Sequence, residues 1–291
     1  MRKWLSITKK LAHMLLFRVL IRPSFPPTVT DETTIFILTV WRREYLSPGW
    51  EEEIGEFDAI SVKICDGDSR YRSIDAIHVL DICTERGLSC HGWGFHYCRN
   101  GPETEREAEA AVEACRASDV VAYHWNAEKQ WLTGDDPIEE AIRFAKIFKK
   151  ALPYVDLYAN CFSGPVTAGM LKYFDRYEPM LYGTRRKTIE SKFKQKVGGM
   201  EIGSAKKCAM VGTGRKDAGN DRRAWGYLHP PEGQSSPMGL AQLVDFYGPY
   251  AVNFFRAGRA DGEDIMVREN SINPKLSVQV AEIKTTVQGR A

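Results

Sequence analysis

The sequence predicts an α/β protein, a single TIM-barrel-like (β/α)₈ domain with an N-terminal helical extension. From residue 34 onward, short apolar segments rich in β-branched residues alternate with helical segments, which is typical of a parallel sheet. Up to eight strand segments fall within about 225 residues, and that number fits a closed barrel better than an open sheet. No glycine-rich phosphate loop stands where a Rossmann fold requires one, since Gly212-Thr-Gly214 is too short.

The predicted elements follow one another in order along the chain. Gly87 stands where a glycine commonly ends a helix, directly after the first helical segment. The second helical segment carries glutamates in its first turns, as the helix dipole favours. The predicted strands span 34–40, 57–65, 88–96, 120–128, 154–160, 179–182, 207–211 and 250–255, and the predicted helices span 73–86, 102–118, 137–152, 166–177 and 237–247.

Two extensions flank the predicted barrel of residues 31–269. Residues 1–22 combine four early basic residues with an apolar run, too short to span a membrane and a poor signal peptide. They predict a basic amphipathic helix that docks on protein or lies on a membrane surface, and the prolines within 23–27 end it before residue 30. We therefore expect synthesis in the cytoplasm, with association with a virion or an envelope as an alternative. Residues 270–291 predict an added strand or a partner-binding extension.

Charge and cysteine content exclude several classes of protein. The whole chain is nearly balanced, but 101–140 holds 11 acidic and 3 basic residues, whereas 185–223 holds 12 basic and 4 acidic ones. These charged regions either keep two faces of the protein soluble, or the basic one binds an acidic glycan or a protein partner. Nucleic acid is an unfavoured partner because the basic region lacks a recognised motif. Seven cysteines without Cys-x-x-Cys spacing argue against a disulfide framework or a zinc site, and we expect neither metal nor cofactor.

Glu128 is the first candidate for chemistry. It follows a buried-strand pattern over 120–128, and barrel enzymes place catalytic side chains at the C-terminal ends of strands. Asn126 lies two residues earlier, so its side chain leaves the same face of the strand. Asp66 follows the strand over 57–65 and offers a second carboxylate, although Asp66-Gly67-Asp68 is also an ordinary turn sequence. In an enzyme, we expect Glu128 to lie in an open cleft, with a raised pKa and close to a second acid. A Glu128 buried in an ion pair with no cleft above it would contradict the hydrolase hypothesis.

Polar and aromatic side chains cluster near the ends of the other predicted strands. Sugars present hydroxyl groups to polar side chains and flat C–H faces to aromatic rings, so this mixture is typical of a glycan site. The same residue types are also common in cores, where histidines are hydrogen-bonded and tryptophans are packed. The candidate substrate-binding residues are Lys63, Trp93, His96, Tyr123, Trp125, Tyr158, Asn160 and Tyr182.

Several of these segments resemble the family 25 glycoside hydrolases, the cell-wall lysozymes. Residues 57–67, Phe-Asp-Ala-Ile-Ser-Val-Lys-Ile-Cys-Asp-Gly, resemble the family's second strand, and 86–97, Arg-Gly-Leu-Ser-Cys-His-Gly-Trp-Gly-Phe-His-Tyr, its third. A helix that contains Glu107-Ala-Glu-Ala110 follows, and Trp125-Asn-Ala-Glu128 occupies the place of the family's Asp-x-Glu. The resemblance covers residues 34–182 in order and spacing more than in identity. It implies a barrel that hydrolyses peptidoglycan or a related amino-sugar glycan.

The chain departs from that family in ways that leave two functions open. Asn126 replaces the family's aspartate, and the first strand lacks the early aspartate expected there. By the resemblance, Glu128 is the general acid, Asp66 the remaining base, and Asn126 orients a substrate 2-acetamido group. The alternative is a catalytically inactive barrel that serves as a structural or glycan-binding component of a phage-tail or envelope complex. Its partners would bind through residues 1–22 and the basic 185–223 region.

Overall fold

A computed structural model describes residues 34–40, 54–71, 74–161, 166–180, 208–212, 251–257, 280–281 and 284–285. Its sheet contains eight parallel strands and one short antiparallel strand that pairs with β2. The strands are β1 (Ile35–Val40), β2 (Ala59–Asp66), the short β3 (Ser69–Arg70), β4 (Ser89–His96), β5 (Ala122–Ala127), β6 (Asp156–Cys161), β7 (Arg176–Pro179), β8 (Cys208–Gly212) and β9 (Ala251–Ala257).

The strand order confirms the predicted barrel. Hydrogen-bonded neighbours run β7-β6-β5-β4-β2-β1-β9-β8, and β7 and β8, at the two ends of this order, also contact each other. Each strand therefore lies beside its neighbour in the sequence, and the first and last long strands pair, as in a (β/α)₈ barrel. The sheet curls so that one face of each strand points inward and the other faces the helices.

Local sequence signals fix the helix ends. The described helices are α1 (Ile74–Glu85), α2 (Gly101–Ser118), α3 (Pro137–Ala151) and α4 (Ala168–Leu171), and single 3₁₀ turns span Ile54–Glu56 and Trp131–Thr133. The side chains of Asn100 and Asp136 cap α2 and α3 by accepting backbone N–H groups two or three residues into each helix. Gly87, just after α1, has φ +73°. Its left-handed backbone confirms the predicted helix end.

One predicted helix is wrong over most of its length. Residues 166–177 were expected to be helical, but only Ala168–Leu171 form a helix, and β7 begins at Arg176, earlier than the predicted strand 179–182. Asp175 explains the change, because its backbone N–H donates to Leu157 O and its carboxylate accepts from Leu157 N. Pairing with β6 therefore overrides the helical pattern of this segment.

Most of the core lies between the sheet and the helices. The outward side chains of the strands pack against α2 and α3, and the largest of them, Tyr123 and Trp125, are fully buried there. A smaller apolar cluster fills the inside of the barrel near the N-terminal ends of the strands. Its buried members are Ile37, Ala59, Ala122, Tyr158 and Ala251.

The two termini are described only in part. Residues 1–33 and the predicted helix 237–247 lie outside the described residues. In the predicted C-terminal extension, residues 280–281 and 284–285 are helical, where a strand was one of the two expectations. Val280 is buried in the core, and Lys284 donates to the Asp58 carboxylate at 2.7 Å. Within the described ranges, no helix has the length and apolar character needed to cross a membrane.

Candidate active site

Glu128 follows directly on β5, at the C-terminal end of that barrel strand. Its side chain is partly buried, and burial raises the pKa of its carboxyl group above the ordinary value, as expected from the sequence for an acid catalyst. A hydrogen bond from the Asn126 side chain and the charge of Lys129 lower that pKa, but by less. The two-residue spacing places Asn126 and Glu128 on the same side of the chain at the end of β5.

A small polar cavity lies on the inner face of the barrel, where Asn126 points. The cavity has a volume of about 10 Å³, which leaves room for about one water molecule. Among the described contacts, Ser61 Oγ, Asn126 Oδ1 and Asn253 Nδ2 are buried there without a hydrogen-bond partner. This layer of the barrel is therefore polar and lined by hydrogen-bonding groups. The lining residues are Thr39, Ser61, Trp93, His124, Asn126, Asn160 and Asn253.

A buried chain of hydrogen-bonded side chains runs along neighbouring strands β4 to β7 beside this cavity. Glu178 Oε2 accepts from His124 Nδ1 at 2.8 Å and from Asn160 Nδ2 at 2.5 Å, and His124 Nε2 lies 3.0 Å from His91 Nδ1. All four side chains are buried. The sequence analysis missed His124 and Glu178. His124 could have been predicted from the sequence, because the alternation of side chains along β5 places it on the same face as Asn126 and Glu128.

Asp66, the predicted second acid, lies at the end of β2 and is held in an ion pair. Lys63 Nζ contacts its carboxylate at 2.6 Å, and the Tyr97 hydroxyl donates to its other oxygen at 3.4 Å. Lys63 also lies 5.3 Å from the ring centre of Trp93, so these two predicted substrate-binding residues contact each other. Both carboxylate oxygens of Asp66 therefore already have partners in the protein.

The other predicted substrate-binding residues divide between the two faces of the sheet. Asn160 lines the cavity, and Tyr158 lies inside the barrel with its ring stacked on that of His124 at 4.3 Å. His96, Tyr123 and Trp125 are fully buried on the opposite face, toward α2 and α3. Alternation along β4 and β5 gives these three side chains a packing position that does not line the cavity, which corrects their proposed place in the site. Tyr182 lies outside the described residues.

His96 belongs to a buried group that has the composition of a metal site. Candidate ligand atoms of His96, Cys98 and Glu107 lie within 4.8 Å of one another. However, Glu107 already accepts hydrogen bonds from His96 Nδ1 at 3.1 Å, from Tyr97 N at 2.9 Å and from Cys98 N at 3.2 Å. His96 Nε2 forms a hydrogen bond with the Tyr123 hydroxyl at 2.7 Å. These contacts make the group a hydrogen-bonded connection between α2 and the end of β4.

Comparison with known proteins supports the fold and leaves the family open. No family model matches this chain, and no curated protein matches it either. Among solved structures, a chitinase from Bacteroides thetaiotaomicron is 10% identical, with a TM-score of 0.61 over 89% of this chain and 98% of that one. A chitinase from Rhizomucor miehei is also 10% identical, with a TM-score of 0.59 over 86% of this chain and 100% of that one.

A third similar structure is the spore cortex-lytic enzyme SleL of Bacillus megaterium. It is 9% identical, with a TM-score of 0.58 over 88% of this chain and 76% of that one. At sequence identities this low, structural similarity indicates a shared fold and does not indicate a shared activity. The chain has the fold of glycoside hydrolase-like TIM barrels.

Proposed function

We propose that this protein is a glycoside hydrolase acting on peptidoglycan or a related amino-sugar glycan, with Glu128 as the general acid. One observation carries the proposal: a partly buried carboxylic acid with a raised pKa stands at the C-terminal end of a barrel strand. A glycosidase needs such a protonated group next to the leaving oxygen. Two of the similar structures are chitinases, and chitin is a polymer of amino sugars, which supports this choice of substrate.

The second catalytic group is part of the same proposal. Asn126 contacts Glu128 but cannot act as a carboxylate, and Asp66 is paired with Lys63. In this proposal, Asn126 orients a substrate 2-acetamido group, which supplies the nucleophile, whereas Asp66 would act as a base only after leaving Lys63. The resemblance to family 25 supports the same reaction, and in this proposal Lys63, Trp93 and Asn160 contact the sugar.

The Lys63–Asp66 ion pair favours a second candidate function. Together with the amide at residue 126, it leaves Glu128 without a described carboxylate partner that is free to act as a base. A catalytically inactive barrel that binds glycan, or supports a phage-tail or envelope assembly, would retain this arrangement. Its protein contacts would involve residues 1–22 and 185–223, of which only Cys208–Gly212 lie within the described residues.

Release of reducing ends separates the two functions. Purified peptidoglycan and chitin oligomers are incubated with the wild type, with Glu128→Gln and with Glu105→Gln, a control at an exposed glutamate on α2. The hydrolase proposal expects turnover by the wild type and the control, and a loss on the order of 100-fold or more in Glu128→Gln. Binding of the same oligomers without turnover by any of the three folded proteins would select the inactive barrel.

A further inference from the structure

Glu178 is a carboxylate inside the barrel to which the proposed reaction assigns no role. It is fully buried on β7, and one of its oxygens accepts from both His124 and Asn160. The strand register places it level with the candidate site, because Asn126 pairs with Asn160 across β5 and β6, and Asn160 pairs with Glu178 across β6 and β7. One layer of the barrel therefore holds Asn126, Asn160 and Glu178 side by side.

The contacts of Glu178 fix the state of the His124 ring. A carboxylate oxygen accepts hydrogen bonds, so we assign the proton of this contact to the ring nitrogen that faces it, Nδ1. The other nitrogen meets His91 Nδ1 at 3.0 Å, and the ring stacks on Tyr158. Burial and the neighbouring His124 hold the pKa of His91 well below its usual range, so His91 is neutral. His124 is thus held on both nitrogens and on one face.

His124 and Asn160 border the same small cavity as Asn126. Asn126 extends from β5 two residues after His124, and it is the direct strand neighbour of Asn160. The Asn126 amide can face Glu128 with its N–H group only while its carbonyl oxygen stays toward the cavity, where that oxygen is buried. His124 and Asn160 are therefore part of the wall of the cavity in which the Asn126 amide oxygen lies.

We propose that Glu178 is a positioning residue for the candidate site, acting through His124 and Asn160 to hold the Asn126 amide against Glu128. The inference rests on the proposed role of Glu128 as the acid. If a carboxylate orients the groups around a site in this way, neutralising it lowers the activity even though it does not touch the substrate. A merely structural carboxylate would affect stability and leave the ionisation of Glu128 unchanged.

The test uses Glu178→Gln, with Glu140→Gln as the matched control. Glu140 is also buried, but it lies on α3 beside Arg143 and away from the barrel interior. Nitrogen-15 NMR of the histidine rings reports the tautomer of His124, and carbon-13 NMR of the carboxyl groups reports the titration of Glu128. In Glu178→Gln we expect His124 to lose its fixed Nδ1–H state and the pKa of Glu128 to rise further, because the Asn126 hydrogen bond that lowers it is weakened.

The outcomes of the two proposals are distinguishable. If the wild type turns over glycan, Glu178→Gln lowers kcat on the order of 10-fold with little change in KM. If it does not, the proposed function fails, and the two NMR readouts still decide the role of Glu178. Unchanged His124 and Glu128 signals in folded Glu178→Gln overturn the inference. If Glu178→Gln does not fold, Asn160→Ala is used in its place, because it removes one of the two hydrogen bonds that Glu178 accepts. An unchanged Glu128 titration in Asn160→Ala would also overturn the inference.

Discussion

Replacing Glu107 by alanine is expected to cost about 2–6 kcal/mol of unfolding free energy. Its side chain is 1% exposed and accepts two backbone N–H groups, from Tyr97 and Cys98, besides the His96 ring. Leaving a buried donor unsatisfied costs about 1–3 kcal/mol, so the two amides alone account for about 2–6 kcal/mol.

The measurement is urea unfolding followed by tryptophan fluorescence and circular dichroism. Glu140→Ala is the control, since that glutamate is also buried but has an ion pair only to Arg143, which is 46% exposed and 3.4 Å away. Its expected cost is about 1 kcal/mol or less. Glu107→Gln should fall between the two, because it keeps one acceptor oxygen. A Glu107→Ala protein within 1 kcal/mol of Glu140→Ala would refute this account of the connection.

The same variant separates a hydrogen-bonded group from a metal site. If His96, Cys98 and Glu107 held a metal ion, removing it with a chelator would destabilise the wild type about as much as the substitution does. Since the described hydrogen bonds already satisfy Glu107, we expect dialysis against EDTA to leave the wild-type melting temperature unchanged. A fall in that temperature, restored by adding back a divalent cation, would contradict the hydrogen-bonded assignment.

Three further predictions follow from the described contacts. Gly94→Ala should cost about 1–3 kcal/mol by urea unfolding, because its new methyl group would overlap the Tyr123 hydroxyl and lie 2.8 Å from Cys65 Cβ. Glu128→Gln should raise the melting temperature at neutral pH and not near about pH 4: the penalty for the buried charge grows as the pH rises through the raised folded-state pKa, and it vanishes where both states are protonated. The six cysteines whose side chains are described are buried, and burial raises the pKa of Cys65 to about 12, so a thiol reagent should modify at most one of the seven cysteines before unfolding and all seven after it.

Strand β5 shows how far sequence reasoning reaches in this barrel. A spacing of two residues was enough to place Asn126 and Glu128 on one face, and the structure agrees. The same alternation separates them from Tyr123 and Trp125, yet all four were candidates for one site. Both faces of a parallel barrel strand are buried, so alternation alone does not tell which face packs against helices.

Glu178 was missed for a different reason. The preceding segment has a helical pattern, and a helix over 166–177 would have put residue 178 in a connecting loop. The contact that ends the helix early is made by Asp175 with Leu157, 18 residues away, and no local propensity encodes such a long-range pairing. A carboxylate becomes visible as part of the barrel interior only once the strand that carries it is known.

The two faces of the sheet also differ in what a substitution there should change. On the outer face, the aromatic layer around Tyr123 and Trp125 is tightly packed, so changes there alter stability first. On the inner face, Asn126 borders a cavity with an oxygen that lacks a described partner. An isosteric change at residue 126 should therefore alter chemistry more than stability.

Asn126→Asp tests this separation and discriminates between the two proposed functions. It places a carboxylate beside Glu128 while the Lys63–Asp66 pair stays intact, and the added charge raises the pKa of Glu128 further. If the barrel is a hydrolase limited by a missing second carboxylate, glycan turnover should rise, on the order of 100-fold for an added general base. If turnover stays undetectable while the variant is folded and still binds chitin oligomers, the limitation lies outside this pair of residues. The inactive glycan-binding barrel is then the better account, because two adjacent carboxyl groups at a strand end would have failed to produce hydrolysis.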